Sequence, residues 1–127
     1  MDFTKTDLKK LEKLEIDALI LFGSQAQQIS RDSSDYDFFV IGKKNKETYD
    51  ELYDLLTDKI NRLVNIDIVF NSSAPMELKY HIIKYGQILF QKNDRIFANF
   101  KQTVMTVYQD FAPYRELYQK TTLARIA

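Results

Sequence analysis

Short apolar runs and helical stripes take turns along this chain, and that alternation restricts it to a sheet flanked by helices. Ile16–Phe22, residues 36–41 and residues 65–70 are apolar runs of strand length. Between them Tyr49, Leu52, Tyr53, Leu56, Ile60 and Leu63 recur at helical spacing and predict the clearest helix. Leu8, Leu11 and Leu14 predict an earlier one, with Thr6 or Asp7 as its cap. Residues 24–29 are short and polar, one or two helical turns, and residues 31–34 are a loop by composition. Residues 71–73 form a turn before a helix over residues 75–85, with Pro75 in its first turn and Gly86 at its C-terminal cap. Residues 88–90 make a last short strand. From Asp94 onward Phe97, Phe100, Val104, Val107, Tyr108 and Phe111 line one side of a helix that Pro113 ends or bends. Tyr114, Leu117 and Tyr118 continue a weaker helical pattern and are expected to help dock a partner protein. The expected class is α+β with an α/β-like alternation: a small mixed sheet, flanking helices and a C-terminal helical segment. With 127 residues and no repeat or linker, one domain is expected, its core about 1–92 and its helical tail about 93–127.

Composition removes several function classes. Eighteen basic residues balance eighteen acidic ones, so no strong nucleic-acid binding is expected. The absence of cysteine excludes disulfides, thiolate zinc sites and a cysteine nucleophile. The apolar runs are too short to span a bilayer, and the charged first residues do not form a signal peptide, so a soluble cytoplasmic protein is expected.

Carboxylates carry the chemical signal. Residues two apart in a strand share a face, so Asp35 and Asp37 project together while Tyr36, Phe38 and Val40 face the other layer. Asp67 stands inside a third apolar run, between Ile66 and Ile68. If the second and third strands are neighbours, the three acids converge at one edge. Their mutual repulsion is resolved by a divalent cation, and magnesium takes one or two carboxylates plus phosphate and water. Gly23-Ser24 closes the first strand and opens the short polar helix. Amides at a helix start favour phosphate, glycine permits close approach, and the Ser24 hydroxyl adds a donor. Carboxylate-held metals opposite a phosphate cradle suit displacement at phosphorus. Blander roles stand beside these: loop acids for Asp35 and Asp37, a buried acid paired with Arg62 or a lysine for Asp67, a helix cap for Ser24. His81, the sole histidine, is expected at the surface without chemistry.

The runs Leu21-Phe22-Gly23-Ser24, Ser34-Asp35-Tyr36-Asp37-Phe38 and Ile66-Asp67-Ile68-Val69 together resemble the Gly-Ser, Asp-x-Asp and third-Asp signature of the polymerase-β-like nucleotidyltransferases. Within that superfamily the chain is most similar to the minimal nucleotidyltransferases (MNT), often encoded beside a HEPN-domain ribonuclease as toxin–antitoxin pairs. The resemblance implies the polymerase-β-like fold. It implies that Asp35 and Asp37 bind metal with the triphosphate, that Gly23 and Ser24 hold phosphate, and that Asp67 completes the metal site and helps deprotonate the attacking hydroxyl. It further implies two magnesium ions, with manganese able to substitute, ATP as substrate, and transfer of AMP to a tyrosine of a HEPN toxin. One departure stands out: where the family commonly reads Gly-Ser-Arg-Ala-Arg-Gly, this chain has Gly23-Ser24-Gln25-Ala26-Gln27-Gln28, with less charge for a polyanion. Two alternatives follow, a binding-only antitoxin and transfer to a small molecule of the aminoglycoside type. The latter enzymes usually carry an added acceptor domain.

Overall fold

Thr4 starts the first helix, α1 (Lys5–Lys13), in place of the expected Thr6 or Asp7. Its hydroxyl accepts from the Asp7 N–H at 3.2 Å while the Asp7 carboxylate accepts from the Thr4 N–H at 2.9 Å. An acid at the third helical position makes this reciprocal box possible, and it secures a turn that a later cap would forfeit. These assignments come from a computed structural model that describes residues 1–23, 25, 26 and 35–110. Of the short helix expected over residues 24–29 only Gln25 and Ala26 are described, as a turn; Ser24, residues 27–29, the loop at 31–34, Phe111 and the segment from Pro113 onward lie outside the described residues.

Strands β1 (Ile16–Phe22) and β2 (Tyr36–Gly42) follow. Helix α2 (Lys46–Ile60) begins at Asn45, whose side chain accepts from the Thr48 N–H. It stops at Asn61, which takes the left-handed conformation (φ 52°) that asparagine tolerates. Leu63, expected on the helical stripe, is therefore beyond the helix and wholly exposed. The buried face of α2 consists of Leu52, Leu55, Leu56 and Thr48, while Tyr49 and Tyr53 stack on each other at its margin.

Strand β3 (Ile66–Phe70) leads through a 3-10 turn (Asn71–Ser73) into α3 (Met76–Tyr85), with Pro75 at the N-cap position just before the first turn in which it was expected. Gly86 occupies the C-cap as expected, but with an ordinary φ of −69°. Space is what demands glycine there. A Cβ would stand 2.5 Å from the Ile82 carbonyl oxygen and 2.7 Å from Ile20 Cγ2. Strand β4 (Gln87–Gln91) and helix α4 (Arg95–Asp110) complete the described part.

The four strands form one mixed sheet in the order β3-β2-β1-β4. β1 runs antiparallel to β2 and β4, whereas β2 and β3 are parallel, as a helical crossover through α2 requires. Central β1 is buried on both faces, which is why it reads as a continuous apolar run. On one face Leu19, Leu21, Phe38, Val40 and Ile66 pack beneath α1 and α2. On the other, Ile20, Phe22 and Phe39 pack against Ile82 of α3 and Phe100 and Val104 of α4. Each such side chain contributes on the order of 1.5–3 kcal/mol of burial. No helix among the described residues is long and apolar enough to cross a membrane.

Candidate active site

The condition set by the sequence, that the second and third strands be neighbours, is met. Asp37 and Asp67 are direct cross-strand partners in the parallel β2–β3 pair. Strand alternation places both on the α3/α4 face, with Phe39 and Val69, while Tyr36, Phe38, Ile66 and Ile68 belong to the α1/α2 face. Asp35 immediately precedes β2 and is exposed.

Burial falls on Asp37 and not on Asp67, for which a buried, paired acid was the blander alternative. Asp67 is exposed, because β3 is an edge strand and the carboxylate stands near its open start. Arg62, considered as its ion-pair partner, donates from Nη2 to the Tyr36 hydroxyl at 3.2 Å and lies over the Tyr36 ring. Asp37 is the half-buried one. Burial holds its carboxyl above the ordinary carboxylate range, and the charges of Asp67 and Asp35 and a hydrogen bond with Asp67 push it the same way.

Gly23 closes the other side. Its φ of +76° is one that side chains rarely adopt, and a Cβ there would stand 2.5 Å from Asp37 Oδ2. Only glycine lets the end of β1 lie against this carboxylate. Gly23 and the acids, separate in sequence, thus come together at Asp37.

Clustered hard oxygens next to a backbone cradle that a Cβ would fill suit a divalent cation shared with phosphate. Among the described residues no three acid or histidine side chains are gathered closely enough to enclose an ion unaided. The donor set fits a cation that takes one or two carboxylates and completes its shell with phosphate oxygens and water. On the opposite face of the same sheet end, a cavity of about 620 Å³ is lined by Leu21, Gln25, Tyr36, Lys59 and Arg62 among others. Cationic side chains therefore share a cavity with Gln25, where the first motif itself has none.

His81 departs from its expected surface role. It is half-buried, its ring edge-on to Phe22 at 6.4 Å and 5.1 Å from the Tyr85 ring. The spacing of His81 and Tyr85 marks a pair on one helix face. Only the packing of α3 on β1 brings that pair to the acid end.

Over residues 6–95 the chain matches the family model described as polymerase beta, nucleotidyltransferase. No curated protein matches it in sequence. Among solved structures, the chain is similar to one in a crystal structure of a toxin–antitoxin with AMP-PNP, with a TM-score of 0.73 and 21% identity over 92% of this chain and 98% of that one. It is also similar to a chain of a tri-AMPylated Shewanella oneidensis HEPN toxin in complex with an MNT antitoxin (TM-score 0.66, 20% identity, 91% of this chain and 94% of that one). A third likeness is to a chain of the toxin–antitoxin MntA-HepT (TM-score 0.66, 19% identity, 94% and 99% covered). Identities of this size show a shared fold.

Proposed function

The chain belongs to the polymerase beta nucleotidyltransferase family, and from that premise we propose that it is a metal-dependent adenylyltransferase of the MNT antitoxin type. It moves AMP from ATP to a tyrosine of a HEPN-domain toxin and so silences the toxin. The observation that carries this is the placement of Asp37, with Gly23 against its carboxylate and Asp67 as its cross-strand partner.

In this account Asp35, Asp37 and Asp67 would hold magnesium, or manganese in its place. When bound, the cation would supply positive charge against the triphosphate and the pyrophosphate that leaves. Gly23, with the neighbouring Ser24, holds phosphate oxygens. The exposed position of Asp67 on β3 leaves its carboxylate reachable by an incoming hydroxyl, whose proton it accepts. Support for the partner and for the transferred group comes from the toxin–antitoxin likenesses, one of which includes an AMPylated HEPN toxin. The whole chain acts as one domain, its core about residues 1–92.

A titration of ATP with magnesium and again with chelator tests the metal dependence. Binding should be strong only with the metal. Equal affinity in both conditions would contradict the proposed site.

A further inference from the structure

The roles above leave the aromatic end of α3 unused. Gly86 packs on Ile20, and Gln87 pairs with Leu21, so the last turn of α3 lies at the end of the sheet where Gly23 and the acids stand. Three rings follow one another there. Phe22, buried in the core, is the direct cross-strand partner of Asp37. His81 meets Phe22 edge-on at 6.4 Å, and Tyr85 lies 5.1 Å from His81. Tyr85 ends this series 48% exposed.

An exposed tyrosine at a helix end is ordinary by itself. Its companions set this one apart. Tyr80, on the same helix, is used up in packing, stacked on Tyr108 of α4 at 3.8 Å. Tyr85 instead rests on a half-buried histidine that is anchored by a core phenylalanine beside a candidate phosphate site. Every nucleobase has two π-faces and stacks on such rings without needing a hydrogen-bond code.

The geometry points to Tyr85, propped by His81, as the platform for the base of the bound nucleoside triphosphate, an inference that rests on the nucleotidyltransferase function proposed above. Tyr85 touches the base. His81 is a positioning residue that fixes the tyrosine ring.

The test compares binding of magnesium-ATP and of magnesium with inorganic tripolyphosphate, which has no base, to the full chain. Tyr85→Ala should weaken ATP by about tenfold and leave tripolyphosphate unchanged. Tyr85→Phe should retain ATP affinity, and Tyr85→Leu, which keeps bulk without a π-face, should behave like Tyr85→Ala. For His81, His81→Phe should bind ATP more tightly than His81→Ala, with tripolyphosphate again unaffected. Thermal melting of each variant checks that it is folded. Equal losses for both ligands, or no loss for ATP, would overturn the platform while leaving the nucleotidyltransferase account standing. Impaired transfer to a protein acceptor with unchanged ATP binding would also overturn it and assign the ring to the acceptor. Wild-type protein that binds neither ligand would overturn both proposals together.

Discussion

Asp37 is half-buried between Gly23 and Asp67, and its carboxyl is held above the usual carboxylate range by burial and by two neighbouring acids. The folded chain therefore binds a proton there more readily than the unfolded chain does. This contribution favours folding at low pH and is lost as pH rises through the folded value. Asp37→Asn should accordingly raise the melting temperature measured at neutral pH in chelator, while reducing nucleotide transfer by on the order of 10²-fold or more. A melting temperature that falls would contradict the assigned environment. Asp67→Asn should impair transfer more than ATP binding, since its proposed partner is the attacking hydroxyl; comparing a binding titration with a rate measurement separates the two. Gly23→Ala forces a side chain onto Asp37 Oδ2 and a strained φ, so it should lose transfer without loss of any functional group. The acids themselves were legible in the sequence because strand alternation assigns faces. Their burial was not legible: Asp67 interrupts an apolar run, yet it is Asp37 that the sheet covers, because strand order decides which run lies at an edge.

Between elements, α1 and α2 are joined where Lys59 meets Asp7 at 2.5 Å and lies over the Phe3 ring. The hydrogen bond from Lys59, followed by that from the Thr4 N–H, holds the Asp7 carboxyl below its ordinary value of 3.8. A depressed carboxylate stabilises the fold above that ordinary value, and the stabilisation disappears as pH falls through the lower folded value. Asp7→Asn should thus lower the melting temperature at neutral pH and flatten the acid limb of the melting profile; an unchanged limb would show that the pair contributes nothing. At the end of α3, Gly86→Ala should cost about 1–3 kcal/mol, read as a shift of the denaturation midpoint, because backbone and Ile20 must both yield. Periodicity located every described helix and strand, and missed their ends for local reasons. Thr4 caps α1 because Asp7 answers it, and Asn61 halts α2 before Leu63 can join the stripe.

At the scale of the molecule, the alternation of runs and stripes was enough to anticipate a small mixed sheet between helices, and family and fold agree with it. The order β3-β2-β1-β4 was legible only as a condition on two strands, since hydrophobic pattern carries no information about which edges meet. For the same reason His81 read as a bare surface residue, although the packing of α3 on β1 carries it to the acid end. The account of function depends on that assembled end of the sheet acting on a partner protein. Intact-mass spectrometry of the proposed partner, a HEPN-domain toxin, incubated with this chain, ATP and magnesium, addresses it most directly. The account predicts a toxin heavier by one or more AMP units, with the gain lost in chelator and in the Asp37→Asn chain. A toxin that is bound and neutralised at unchanged mass would contradict it.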